Sequence, residues 1–163
     1  MSNTIIFTEI VNCGPVGRIM LESFHKYHDQ IIYIYCTEKD IFNLGNIRRH
    51  PNNRYINVSD GHAESFKKGH CGTAEVFADM FAHKLDRERW IIHCDSDLVF
   101  KKESISLIET ALDEGYDIVG SRRCYKNNPG KVPIPDGIPD AISTYFIGMK
   151  TKVLPKGYSF EDL

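Results

Sequence analysis

The chain has no CxxC pair, no excess of basic residues, no long apolar run and no internal repeat, and each absence removes a class of function. Zinc ribbons and dithiol redox centres need closely paired cysteines. The five present, Cys13, Cys36, Cys71, Cys94 and Cys124, are odd in number and widely spaced, so reduced and mostly buried thiols are expected. With 20 basic and 22 acidic residues the net charge is -2, which supplies no general field to hold a nucleic-acid backbone. Any anion site must be local, and the pairs Arg48-Arg49, Lys67-Lys68 and Arg122-Arg123 read first as solvated surface. The N-terminus lacks a basic start followed by an apolar stretch, and no segment approaches the ~20 apolar residues of a membrane-spanning helix. A cytoplasmic protein without nucleic-acid partners is the expectation. At 163 residues, 42% hydrophobic and 26% charged, the chain suits one domain, 1–163, around a continuous core.

What is there begins with Trp90-Ile-Ile-His-Cys-Asp95-Ser-Asp97-Leu-Val-Phe100, an apolar strand-like run that leads into two aspartates one residue apart. Buried charge is costly unless it is paired or coordinates a metal. A hard divalent ion, Mn²⁺ or Mg²⁺, is the economical partner for two carboxylates, and such ions commonly hold phosphates at the same time. In an extended strand both acids face one way, whereas a turn would let them fan around one ion. The competing reading is a pair of acids in a surface turn, and the apolar residues on both sides argue against it.

The rest of the chain alternates strand and helix signals. Thr4–Thr8 reads as a buried strand, and Gly14-Pro15 opens a helix with proline at a first-turn position. Val16, Ile19, Met20, Phe24 and Tyr27 form its apolar face. Ile31–Cys36 is a second strand, continuous enough to be covered on both sides. A short helix near Asp40–Leu44 and a strand at Tyr55–Val58 follow. A helix opening at Gly72-Thr73, the strand Trp90–Cys94, a helix capped by Ser104 and carrying Ile105, Ile108 and Leu112, and strands at Asp117–Gly120 and Ser143–Met149 complete the series. This order predicts an α/β layered fold with a mostly parallel sheet. Ligands in such sheets bind outside the strand C-termini, and Thr8-Glu9, Thr37, Ser59-Asp60 and Asp95–Asp97 are all expected just past a strand.

Other candidates carry open alternatives. Lys67-Lys-Gly-His70-Cys-Gly72-Thr73 leads into a helix N-terminus, where free N–H groups favour an anion; ordinary loop-to-helix packing explains the same residues equally well. Arg18 is placed near the strand end that carries Thr8-Glu9, either reaching a pyrophosphate or simply lying on the surface. Asp136 and Asp140 are candidate general bases, since a hydroxyl nucleophile calls for a positioned carboxylate or imidazole.

This ordered set, with its DSD after an apolar strand, the GHCGTAEVF helix entry before it and EGYDIVGSRRCYKNNP followed by DAISTYFIG after it, resembles the GT-A nucleotide-sugar glycosyltransferases. It is also similar to the small glycosyltransferases encoded by large DNA viruses, which would place it in a host cytoplasm. The resemblance implies a GT-A-like (Rossmann-like) fold and metal-dependent transfer of a sugar, from a nucleoside-diphosphate sugar with UDP favoured, to an acceptor hydroxyl on a glycan. It implies that Thr8, Glu9 and Val11 grip the base and Asp60 the base or ribose. Asp95 would touch ribose or metal and Asp97 would hold the metal, with Ser96, His70, Gly72 and Thr73 lining the donor pocket. Thr144, Tyr145 and Asp140 would face the acceptor, so that residues up to about 100 bind the donor and 101–163 the acceptor. Many GT-A enzymes add a late histidine ligand, yet here none follows His93. A truncated chain, a longer parent protein, or water in the remaining positions would each account for that. Asp95-Ser-Asp97-Leu-Val99 also matches the opening motif of haloacid-dehalogenase-like phosphatases, although there it stands near the N-terminus. A non-catalytic module that binds a nucleotide sugar is the third reading.

Overall fold

Among the described residues, six strands form one sheet in the order β3-β2-β1-β4-β6-β5. They are β1 (Thr4–Ile10), β2 (Ile32–Cys36), β3 (Asn53–Asn57), β4 (Trp90–Cys94), β5 (Ile118–Arg122) and β6 (Ile142–Lys150). The computed structural model describes residues 4–58, 64, 76, 90–122 and 142–150. β1 pairs in parallel with β2 and β4, and β2 with β3, while β6 runs antiparallel between β4 and β5. The mostly parallel sheet inferred from the alternating pattern is therefore present, with one reversed strand.

The alternation of side chains along each strand sends two apolar sets to opposite faces. Ile6, Ile10, Ile32, Ile34, Ile92 and Cys94 pack beneath helix α1 (Gly14–Tyr27) and helix α3 (Ser104–Asp113). Ile5, Phe7, Tyr35, Ile91, Ile147 and Met149 form a second cluster on the other side, together with Val76. Between β2 and β3 lie helix α2 (Glu38–Asn43) and a 3₁₀ turn at Gly45–Arg49. Cys36 and Cys94 are buried free thiols and Cys13 is a half-buried one; Cys71 and Cys124 lie outside the described residues.

Two details correct the pattern reading. The buried stripe of α1 is Gly14, Gly17, Met20, Leu21 and Phe24, and Val16, Ile19 and Tyr27 stand 44%, 52% and 43% exposed. Hydrophobic periodicity misplaced the face because the helix approaches the sheet through glycine. A Cβ on Gly17 would come within 2.6 Å of Ile10 Cγ2, so the closest contact is made by a residue that hydrophobicity does not register. Ser104 is the first helical residue of α3 and not its cap: Glu103 holds the cap position, and Ser104 Oγ accepts from the Lys101 N–H at 2.9 Å.

Candidate functional site

The site begins with the period of two in two neighbouring strands. Ile5, Phe7 and Glu9 share a face of β1, and Ile91 and His93 share the matching face of β4. The register pairs Phe7 with His93, and continued by two residues it sets Glu9 beside Asp95. Parallel strands feeding opposite sides of a sheet leave a crevice at their C-terminal ends. Here β1 connects toward β2 on one side while β4 lies on the other, so the reversal of strand order falls between Glu9 and Asp95.

Three side chains converge there. His93 Nε2 lies 3.1 Å from Glu9 Oε2 and 3.8 Å from Asp95 Oδ1. His93 and Glu9 are at hydrogen-bond distance, with Nε2–H as the donor in the tautomer that suits a carboxylate acceptor. The imidazole leans on Phe7 with ring centroids 5.0 Å apart. Side-chain exposure rises outward, from 0% for His93 and 5% for Glu9 to 25% for Asp95, and Asp97 is exposed. The other Glu9 oxygen, Oε1, is buried with no hydrogen-bond partner among the described residues.

Asp95 titrates well above an ordinary carboxylate, pushed up from 3.8 to about 6. Burial is the main cause; the nearby Glu9 and Asp97 carboxylates raise it further, and His93 works in the opposite direction. Three acids and one imidazole thus meet at a strand end with more negative charge than the described residues balance. One atom each from Glu9, His93 and Asp95 lies within 4.8 Å of the others, and the oxygen-rich set fits a divalent ion of the Mn²⁺ or Mg²⁺ kind.

The turn after β4 separates the two aspartates. Ser96 and Asp97 form it, so the acids fan apart instead of sharing a strand face. Ser96 Oγ sits 3.2 Å from Cys13 Sγ, tying this turn to the β1–α1 connection. That connection bends at Asn12, whose φ of 59° is a left-handed conformation that asparagine tolerates.

The remaining candidates are distributed unevenly. Thr8 and Glu9 belong to β1 itself and do not follow it. Thr8 is fully buried on the α1 side of the sheet, away from Glu9, and Val11 is buried at the start of the connection. Arg18 is the fifth residue of α1, past its first turn, and its guanidinium lies 3.8 Å from Glu22 on the exposed surface. Thr37 does follow β2, but it serves the chain internally: its hydroxyl and the Asp40 side chain form a reciprocal capping box that starts α2. Thr144 and Tyr145 lie on β6. Since β6 pairs Phe146 with Cys94, the same register sets the backbone of Tyr145 opposite Asp95. Asp60, His70, Gly72, Thr73, Asp136 and Asp140 lie outside the described residues. His93 is the member that motif reading did not single out; its signal was the alternation Ile91, His93, Asp95, which puts the imidazole on the same face as the first aspartate.

The sheet order, the reversed β6 and the acids after β4 define a GT-A-like fold. An active-site mutant of LgtC superposes with a TM-score of 0.57 at 17% identity, covering 91% of this chain and 57% of its own. The apo form of mouse xyloside xylosyltransferase 1 superposes with a TM-score of 0.61 at 13% identity, over 98% of this chain and 71% of its own. The 4-diphosphocytidyl-2C-methyl-D-erythritol synthase of Anaerococcus prevotii is similar over 93% of this chain and 72% of its own, with a TM-score of 0.51 and 14% identity. At these identities the likeness is one of fold. The chain spans little more than half of the LgtC structure. No protein-family model matches the sequence, and no curated protein does.

Proposed function

We propose that the protein is a metal-dependent glycosyltransferase that moves a sugar from a nucleoside-diphosphate sugar, UDP-sugar favoured, to a hydroxyl of a glycan acceptor. The observation that carries this reading is the position of Asp95 and Asp97 immediately beyond the central strand β4 of a GT-A-like sheet, with Asp95 beside Glu9 of β1. A phosphatase nucleophile is disfavoured by the same fact, because the motif follows the fourth strand and not the first.

In this reading Asp95 and Asp97 hold Mn²⁺ or Mg²⁺, which supplies Lewis-acid stabilisation for a departing nucleoside diphosphate. Glu9 presents a buried acceptor, Oε1, to the base, an arrangement that suits a ligand N–H. Val11, with Thr8 behind it, closes the base end, and Asp60 meets base or ribose. Ser96, His70, Gly72 and Thr73 line the donor pocket, Arg18 serves its phosphate side, and Asp140 or Asp136 takes the proton of the acceptor hydroxyl. Thr144 and Tyr145 belong to the acceptor side, which residues 101–163 supply, while residues up to 100 bind the donor.

The test is turnover. Incubated with Mn²⁺ and a panel of nucleotide sugars, the protein should release nucleoside diphosphate faster when the correct glycan acceptor is added. Phosphate release from simple phosphoesters would support the phosphatase instead, and tight binding of nucleotide sugar without turnover would support the binding module.

A further inference from the structure

We infer that His93 is a positioning residue that fixes the Glu9 and Asp95 carboxylates relative to one another, so that one buried imidazole sets both the base end and the cation end of the site. The inference rests on the donor-binding reading above and specifies how that site is held together.

The geometry is that of a strut. Glu9 comes from β1 and Asp95 follows β4, two strands joined by backbone pairing up to Phe7 and His93. Beyond that pair, the described side-chain link between them is Nε2 of His93, 3.1 Å from one carboxylate and 3.8 Å from the other. Its ring is wholly buried and braced by Phe7, which leaves it little freedom to turn. A group that is itself immobile can hold its neighbours to one orientation, and outer-shell partners of this kind govern the affinity of metal-binding carboxylates.

The same hydrogen bond argues that His93 is not itself a metal ligand, although its Nε2 lies close to both acids. In the tautomer that donates Nε2–H to Glu9, this nitrogen has no lone pair to offer an ion, so the cluster's carboxylates are left to hold it. Burial also increases in the order Asp97, Asp95, Glu9, His93, so an ion entering from solvent meets the aspartates first and finds the imidazole behind them. Without His93, Glu9 would keep neither of its described hydrogen-bond options: Oε2 would lose its donor, and Oε1 has none among the described residues. A buried carboxylate so stripped moves or protonates, and Asp95 loses the neighbour that now limits the charge around it.

The experiment compares the full chain with His93→Phe, which keeps an aromatic ring but removes the donor, and His93→Gln, whose side-chain amide N–H can take the place of Nε2–H. Mn²⁺ affinity is read by electron paramagnetic resonance, UDP affinity at saturating Mn²⁺ by calorimetry, and folding by thermal melting. His93→Phe should lose Mn²⁺ affinity by about 10–100-fold and weaken UDP binding as well, and His93→Gln should restore most of both. If His93→Phe does not fold, the double variant Glu9→Gln/His93→Phe removes the stranded charge and should bind Mn²⁺ more weakly than Glu9→Gln alone. Wild-type binding that survives unchanged in the Phe variants would overturn the inference while leaving the donor-binding reading intact. A directly coordinated ¹⁴N in the pulsed spectrum, lost with His93, would overturn it too, by making His93 a ligand. Wild-type protein that binds neither Mn²⁺ nor UDP would defeat the underlying reading, and the inference with it.

Discussion

Adjacent residues at the ends of β1 and β4 live in different environments. Thr8 and Cys94 point to the face beneath α1, which is apolar and closed, whereas Glu9, His93 and Asp95 point to the opposite face and gather charge. Burial alone does not separate them, because Thr8, Glu9, Cys94 and His93 are all buried. What differs is the electrostatic demand. On the α1 side, desolvation pushes the Cys94 thiol far up and keeps it a neutral packing group. On the other side, Glu9 and Asp95 share one imidazole, and Asp97 adds a further negative charge near Asp95. A single residue step along a strand therefore exchanges a core position for a position in the charged cluster.

That contrast can be broken from either side. The largest effect is expected in the closed layer: Phe24 packs against Phe100 at 5.1 Å and against His28 at 5.3 Å, so Phe24→Ala should cost about 3–5 kcal/mol of stability, read as a fall in the denaturation midpoint. Next comes Asp97→Ala at the charged end. Its side chain is exposed, so melting should barely move, while metal-dependent activity falls at least ~10–100-fold. Equal losses of stability and activity would show that the two layers are not separable.

A third change sharpens the electrostatic half. Because the folded state raises the Asp95 pKa from 3.8 to about 6, the fold favours the protonated acid. Its contribution to stability is full below about 3.8 and is lost as pH rises through 6. Asp95→Asn should therefore raise the melting temperature of the metal-free protein above pH 7, where the native carboxylate is an unbalanced charge, and it should abolish stabilisation by Mn²⁺. Since a ligand carboxylate must be ionised, Mn²⁺ affinity of the native protein should climb between pH 5 and 7. Absence of either pH trend would mean that the site is already neutralised. The smallest effect is expected at Arg18→Ala: its pair with Glu22 is a surface i,i+4 contact at 3.8 Å, worth less than ~0.5 kcal/mol to folding. A marked fall in UDP affinity from the same substitution would assign Arg18 to the donor phosphates.

The architecture was legible where local signals were strong. Trp90–Cys94 is β4 with the expected bounds, and Pro15 stands in the first turn of α1 as anticipated. The continuous apolar runs did mark parallel strands, although the reversal of β6 has no counterpart in its own residues, since strand direction is set by the path of the chain and not by composition. The face of α1 was misread because Gly17 makes the close approach to the sheet and Gly14 the close approach to α2, and glycine leaves no hydrophobic trace. At the site, Asp95 and Asp97 were recognisable as a motif. The convergence of Glu9 and His93 on Asp95 was not, because it joins residues 84 positions apart through a strand pairing that no local pattern encodes. Once β1 and β4 are neighbours, the period of two supplies the rest.

In the proposed function, the charged end of β1 and β4 holds a divalent ion for a nucleoside diphosphate. Calorimetric titration of UDP into the full chain, with and without Mn²⁺, tests it most directly. Binding that requires Mn²⁺ and disappears in Asp97→Ala is the predicted result. UDP binding of equal strength without the ion, or retained when Asp97 is removed, would contradict it.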